Sequence, residues 1–407
     1  MQFRKETLEN GLTVVAEVNP AAVSMAAGFF VRTGSRDETP EVSGVSHFLE
    51  HMVFKGTPRR EALDVNREFD EMGANYNAFT SEENTVFYGA VLPEFQDRLV
   101  DLLSDIMRPS LRQADFDVEK QVILDEIALY EDHPKFRVYD NLMSEYFRGH
   151  PLGNVILGTN ESITDLTREQ MQAYFDRRYA PGNITLVGVG NLDFERFVNA
   201  AREGCGRWES GDADRRTEDW SVDGGLRAMV DDRLAMEHVG LMSAAPSAQQ
   251  ADRRAAQLAA NIVGDSSGSR LYYALVEPAI ADDVSTSYSP MDGTGTFLTF
   301  LSCGPDRTDE AMNVVRAELE RFEQEGPTET EMTAAKNKIA SSLTLRGEVP
   351  MGRLSSVGFD WIYRDAHIPL AEEIEKLLAV QREQVAAVAR RYRMSAVTTL
   401  ALGPEKL

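Results

Sequence analysis

His47-Phe48-Leu49-Glu50-His51 spells H-x-x-E-H. The run around it predicts a helix, with Ser43 as the expected N-cap and Gly56 as the expected stop. Side chains four residues apart share one face of a helix, so the two imidazoles can hold one metal ion between them. Glu50, directly before the second imidazole, is then placed to accept a proton from an activated water. A catalytic metal of this kind takes three protein ligands and keeps one position open, so a third ligand is expected elsewhere in the chain.

The segment from Gln113 to Glu131 predicts a long helix. On it Glu119, Val122, Ile123, Glu126 and Tyr130 share one face. Two carboxylates set into an apolar stripe are costly to bury without a cation or hydrogen-bond donors. Spacing alone therefore leaves Glu126 or Glu119 as the candidate ligand. The competing reading is an ordinary solvated face, since Asp115, Asp117, Asp125 and Glu131 crowd the same helix.

The remainder of the chain bounds the setting. It has 407 residues, 43% hydrophobic and 27% charged, which predicts two domains or more with ample core. The net charge of -24 argues against nucleic-acid binding. It serves solubility, or else makes an acidic surface that attracts basic peptides. Only Cys205 and Cys303 occur, so no disulfide framework is expected and a reducing compartment is. Met1 to Thr7 carries no apolar signal region behind its basic residues. No apolar run is long enough to cross a bilayer. The expected location is cytoplasmic, with no membrane partner.

Two halves are expected. Residues 1–205 form the domain that carries the H-x-x-E-H string, a Gly/Asp/Ser-rich linker covers 206–224, and 225–407 form a second domain. In the first, strands are predicted over 11–18, 25–32, 75–80, 84–91 and 184–189, and helices over 62–72, 94–107, 113–131 and 167–178. In the second, strands are predicted over 236–243 and 295–301, and helices over 248–263, 308–325, 328–345 and 380–393. The matching rhythm hints at a duplication. The fold class read from this pattern is α+β: two similar α/β-sandwich domains, each a mixed or antiparallel sheet with helices packed on it.

Longer stretches then become specific. Thr33-Gly34-Ser35-Arg36-Asp37-Glu38 and Gly44-Val45-Ser46-His47-Phe48-Leu49-Glu50-His51-Met52-Val53-Phe54-Lys55-Gly56-Thr57 resemble the pitrilysin/insulinase family of zinc metallopeptidases. The branch they are most similar to is that of the mitochondrial processing peptidase and its bacterial relatives. Asn77-Ala78-Phe79-Thr80-Ser81 is similar to that family's N-A-x-T-S strand, and Glu119-x6-Glu126 to its paired glutamates. His150-Pro151-Leu152-Gly153, Ile156-Leu157-Gly158-Thr159 and Tyr179-Ala180-Pro181-Gly182-Asn183 continue the likeness across nearly all of residues 1–190. It is looser later, at Gly264-Asp265-Ser266-Ser267-Gly268-Ser269-Arg270-Leu271-Tyr272.

The resemblance implies the processing-peptidase-like metallohydrolase fold and one zinc ion per chain. It implies His47, His51 and Glu126 as metal ligands, Glu50 as the catalytic base, and Glu119 as a carboxylate behind a ligand. It implies that Asn77, Ala78 and Phe79 bind substrate as an edge strand to which an extended peptide adds. The expected function is zinc-dependent endopeptidase action on peptides or unfolded segments in a dimeric chamber. The alternative, of a different class, is a non-catalytic zinc-binding or assembly subunit of a heteromeric complex.

One departure stands out. The family's second domain supplies an Arg and a Tyr that hold substrate, in a segment resembling L-R-E-K-R-G-L-A-Y. Here Leu275-Val276-Glu277-Pro278-Ala279-Ile280-Ala281-Asp282-Asp283 occupies that place, with Val276 and Asp283 at the Arg and Tyr positions. A homodimer, or a heterodimer with a related subunit that supplies the Arg/Tyr pair, is expected. Arg270, Tyr272, Tyr273 and Tyr288 lie nearby without an assigned role. His238 is expected to be structural.

Overall fold

The computed structural model describes residues 1–211, 213–215 and 224–404. The strands are β1 (Gln2–Thr7), β2 (Thr13–Val18), β3 (Met25–Val31), β4 (Asn75–Thr80), β5 (Thr85–Val91) and β6 (Ile184–Gly190). After them come β7 (Gly225–Val230), β8 (Glu237–Ala244), β9 (Asp283–Pro290), β10 (Gly295–Cys303) and β11 (Thr398–Gly403). The helices begin with α1 (Val45–Val53), α2 (Ala62–Glu71), α3 (Gln96–Ile106), α4 (Gln113–Glu131) and α5 (Pro134–Tyr146). They continue with α6 (Asn160–Asp165), α7 (Arg168–Arg178), α8 (Phe194–Cys205), α9 (Arg253–Gly264) and α10 (Thr308–Glu325). The last four are α11 (Glu329–Gly347), α12 (Pro350–Arg364), α13 (Leu370–Leu378) and α14 (Arg382–Arg391).

The chain divides into two compact units. One holds Met1–Leu129, Asn154–Arg216 and Leu345–Ile368, and the other Tyr130–Gly153, Thr217–Thr344 and Pro369–Leu407. The first unit contains a six-stranded sheet in the order β1-β2-β6-β3-β5-β4. Its β2 and β6 run parallel, and every other neighbouring pair is antiparallel. The second contains a five-stranded sheet in the order β7-β11-β8-β10-β9, with β7 and β11 parallel and the rest antiparallel. Setting β1 aside, both sheets have the same strand order and the same directions. That is the duplication, written in topology.

The duplication extends to α4 and α11, each 19 residues long. Phe116, Glu119 and Ile123 are buried in the one, and Met332, Ala335 and Ile339 are buried at the same positions in the other. Ala335 and Ser342 therefore stand where α4 has Glu119 and Glu126. The backbone repeats, and the ligand chemistry does not.

In the first unit, β3 is buried along its whole length, and its side chains alternate between two cores. Ala27, Phe29 and Val31 pack into the core that includes Phe48, Leu99 and Phe116. Ala26 and Phe30 face the other way and pack with Val15, Val187, Leu354 and Val357. That second core is closed by α12. Burying a side chain such as Leu354 or Val357 there contributes about 1.5–3 kcal/mol each.

The units interleave along the chain instead of following the expected division at 205 and 225. Helix α5 leaves the first half of the sequence and packs Val138 and Leu142 against Met242, Leu400 and Leu402 of the second unit. Helix α12 comes from the second half and covers the first unit's sheet. The physical reason is that each sheet has two apolar faces, and the helices nearest in sequence cover only one of them. Of the linker expected over 206–224, residues 212 and 216–223 lie outside the described residues. Arg215, within that expected linker, is packed, pairing with Asp37 at 2.6 Å. Cys205 and Cys303 are free and buried. Among the described residues, no helix is long and apolar enough to cross a membrane.

Candidate metal centre

Helix α1 is set in place by its own N-terminus. Its cap is Gly44 at φ +89°, not Ser43, and a Cβ there would come within 2.5 Å of the Leu157 carbonyl oxygen. The capping acceptor comes from outside the helix: the Glu38 carboxylate accepts from the Gly44 and Ser46 amides, both at 2.7 Å. Burial pushes Glu38 up to about 8, against the pull of those same hydrogen bonds. One face of α1 buries Val45, Phe48, Leu49 and Met52. Phe48 stacks on Phe116 of α4 with centroids 4.8 Å apart, which fixes the opposite faces of the two helices in register.

Those opposite faces carry the donors. One donor atom from each of His47, His51 and Glu126 falls within 4.8 Å of the other two. His47 Nε2 lies 3.8 Å from Glu126 Oε1, and His51 Nε2 lies 3.5 Å from Glu126 Oε2. Donors around a small tetrahedral cation sit about 3.3 Å apart. The set is two nitrogens and a carboxylate, and it fits such an ion. Burial, and then the neighbouring His51, lower His47 to about 3, so its imidazole is neutral and offers a lone pair. Burial, with Glu119 close by, raises Glu126, while His51 opposes this. A cation would remove both strains.

Glu119 lies behind His51. The His51 Nδ1–H group donates to Glu119 Oε1 at 2.8 Å, which leaves Nε2 free to face Glu126. Lys55 holds the other Glu119 oxygen at 2.6 Å. Burial alone would raise Glu119, but the bonds from His51 and Lys55 outweigh it and lower the carboxyl. Burial alone would likewise lower His51, and it is overcome by Glu119 and then Glu126. The alternative left open by spacing is thus separated in space: Glu126 faces both imidazoles, and Glu119 supports one of them.

Glu50 is on the same side of α1 and is raised, first by burial. Its Oε2 accepts from Thr80 Oγ1 at 2.6 Å. Thr80 ends β4, which is the last strand of its sheet and packs on α1. Along β4 the side chains alternate. Tyr76 stacks on Phe69 and Ala78 joins the main core, while Phe79 packs on the other face against Phe359. The Ala78 amide donates to Asn77 Oδ1 at 2.9 Å. Of the expected substrate residues, Ala78 and Phe79 therefore have their side chains engaged in packing, and Asn77 is exposed. Thr80 and Glu38 were not singled out from sequence. Period-two alternation from Ala78 would have pointed Thr80 at α1, whereas nothing local marks Glu38.

In the second unit, Val276 packs at the rim of the core and Asp283 pairs with Lys135 at 2.8 Å. Arg270 is held by Glu331 at 2.7 Å. His238 sits on β8, as expected.

The description Insulinase (Peptidase family M16) matches residues 13–160, the stretch that holds the donor set. Peptidase M16 inactive domain matches residues 165–339. A chain from Mycobacterium bovis named uncharacterized zinc protease is 32% identical over 98% of this chain and 93% of its own. A Bacillus subtilis chain, also named an uncharacterized zinc protease, is 29% identical over 96% of this chain and 95% of its own. In fold, a protease from Helicobacter pylori matches with a TM-score of 0.92 at 20% identity, covering 99% of both chains.

Proposed function

The chain belongs to the insulinase family of peptidases, M16, and on that footing we propose that it is a zinc-dependent endopeptidase acting on peptides or unfolded segments. The observation that carries this reading is the convergence of His47, His51 and Glu126 with Glu50 beside them on α1. One zinc ion per chain is held by the first three. Zinc, when bound, supplies Lewis acidity, lowering the pKa of a water toward about 7 and polarising the scissile carbonyl.

The chain's own groups do the rest. Glu119 keeps the His51 proton on Nδ1. Glu50 accepts the proton of the attacking water and passes it to the leaving amine. Burial raises its affinity for protons, which favours uptake of one from the water.

The free edge of β4 is the candidate docking strand, because an added strand is recognised through its backbone whatever its sequence. Beside Glu126, α4 presents Val118, Val122 and Leu129 at 67%, 44% and 58% exposure. Such a stripe favours apolar side chains, which unfolded segments present and folded proteins hide. With Val276 and Asp283 in the places of an Arg and a Tyr, a second copy or a related subunit completes the substrate hold in a dimeric chamber.

The test is a peptide-library digest of zinc-loaded protein with and without chelator, alongside metal analysis and native mass. Chelator-sensitive cleavage with one zinc per chain is expected. Bound zinc with no cleavage by the chain, alone or with a related subunit, returns the alternative of an assembly subunit.

A further inference from the structure

We propose that Thr80 is a positioning residue for proton transfer at this centre, an inference that rests on the peptidase reading above. Among the described residues, Thr80 is the one hydrogen-bond donor to the Glu50 carboxylate, from Oγ1 to Oε2 at 2.6 Å. Holding Oε2 leaves Oε1 as the oxygen that meets the attacking water. The Glu50 carboxylate rides on two staggered torsions and a third, broad one, so without a partner it samples several settings. The hydroxyl selects one of them without adding a charge.

The segment behind Thr80 is tied by several hydrogen bonds and ion pairs. Thr80 pairs with Thr85 across the β4–β5 hairpin. In the turn, the Ser81 amide donates to the Asn84 carbonyl at 2.8 Å and the Asn84 amide to Ser81 Oγ at 3.1 Å. The short 3-10 turn Ser35–Asp37 before α1 clasps the same hairpin turn, the Arg36 amide donating to the Glu82 carbonyl at 2.8 Å. Gly34 makes that approach possible, since a Cβ there would lie 2.2 Å from the Ser81 carbonyl oxygen.

A buried ionic network secures the turn from below. Glu83, 2% exposed, accepts from Arg36 Nη1 at 2.5 Å and from Tyr363 Oη of α12 at 2.8 Å. The Asn84 side-chain amide donates to the same Tyr363 oxygen at 2.7 Å. Arg215 Nη2 donates to the Glu83 carbonyl and pairs with Asp37, which Arg178 also holds at 2.8 Å. Buried ion pairs of this sort are weak contributors to stability. Their gain here is geometric: they fix the turn that fixes the hydroxyl that orients the base. Displacement of a reacting group by about 1 Å costs on the order of a hundredfold in rate.

The experiment compares wild type with Thr80→Val, which keeps the β-branched shape, and Thr80→Ser, which keeps the hydroxyl. Thr80→Ala serves if the valine variant does not fold. Expected for Thr80→Val is a fall in kcat of about 10- to 100-fold, with KM and zinc content unchanged. Thr80→Ser should recover to within about threefold. In crystals of the zinc-free Thr80→Val protein, the Glu50 carboxylate should leave the position it holds here. The inference is overturned if kcat is unchanged, if the loss falls on KM or zinc content, or if serine is as poor as valine. Absence of chelator-sensitive turnover in the wild type would instead remove the peptidase reading, and the Glu50 rotamer in the variant crystals would still decide whether Thr80 holds it.

Discussion

His51 reaches Glu126 with one ring nitrogen, and its other nitrogen is tied to Glu119 at 2.8 Å. The two carboxylates sit seven residues apart on α4, so one helix both supplies a ligand and orients another. Glu119→Gln should weaken zinc binding by about 10- to 100-fold. Competition against a chromogenic chelator measures this. An unchanged affinity would reduce Glu119 to a partner for Lys55.

Glu50→Gln preserves shape and removes the proton acceptor. Its kcat should fall by about 10²- to 10⁴-fold while zinc content stays at the wild-type level. Metal analysis and initial rates on one sample separate the two. Turnover persisting in zinc-loaded Glu50→Gln protein would take the base role from this residue.

Glu17, buried on β2, accepts from Arg353 at 2.9 and 2.7 Å and is 2.6 Å from His367 Nε2. Burial would raise it, but the bonds from His367 and Arg353 hold it at about 2. A carboxyl lowered in the fold contributes stability that is present above its ordinary value of 4.5 and lost as pH falls toward 2. Arg353→Met should destabilise by about 3–5 kcal/mol near neutral pH. It should also flatten the loss of stability between pH 4.5 and 2. Urea unfolding across that range tests both, and an unchanged acid limb would mean that Glu17 is not linked to folding.

Gly34→Ala sets a methyl group against the Ser81 carbonyl. Overpacking of this sort costs about 1–3 kcal/mol. The melting temperature should drop, and kcat should drop with it because the turn bearing Thr80 is displaced. A variant that melts like wild type and cleaves like wild type would show that the two loops have slack between them.

Helix α4 was legible to the residue, because its length and its charged and apolar faces are all local. β4 was read to its bounds as well, β5 to within one residue, and the helical setting of His47, Glu50 and His51 in kind, though that helix is capped by Gly44 and ends at Val53. Spacing alone left the partners of Glu119 and Glu126 open, and only the family resemblance implied Glu126 as the ligand with Glu119 behind it, since their approach to His51 depends on how Phe48 and Phe116 stack. Glu38 was invisible for the same reason: its cap on α1 spans a loop whose path no pattern of apolar residues encodes. The boundary at 205 followed a Gly- and charge-rich stretch, which is sound for local chain but silent about α5 and α12. Amphipathic helices advertise an apolar face without saying which sheet it will cover.

The exchange of α5 and α12 also has a temporal side. During synthesis the strands of the first sheet are all made by residue 190, yet Phe30, Val187 and Val189 have no cover until residues from 350 onward emerge. The half that bears the metal ligands is begun first and finished last. A ribosome adds about 5–20 residues per second, so that apolar face stays bare for many seconds on every nascent chain. An N-terminal fragment ending at 205 would keep that exposed state permanently, with all three donors present and one side of their sheet open to aggregation.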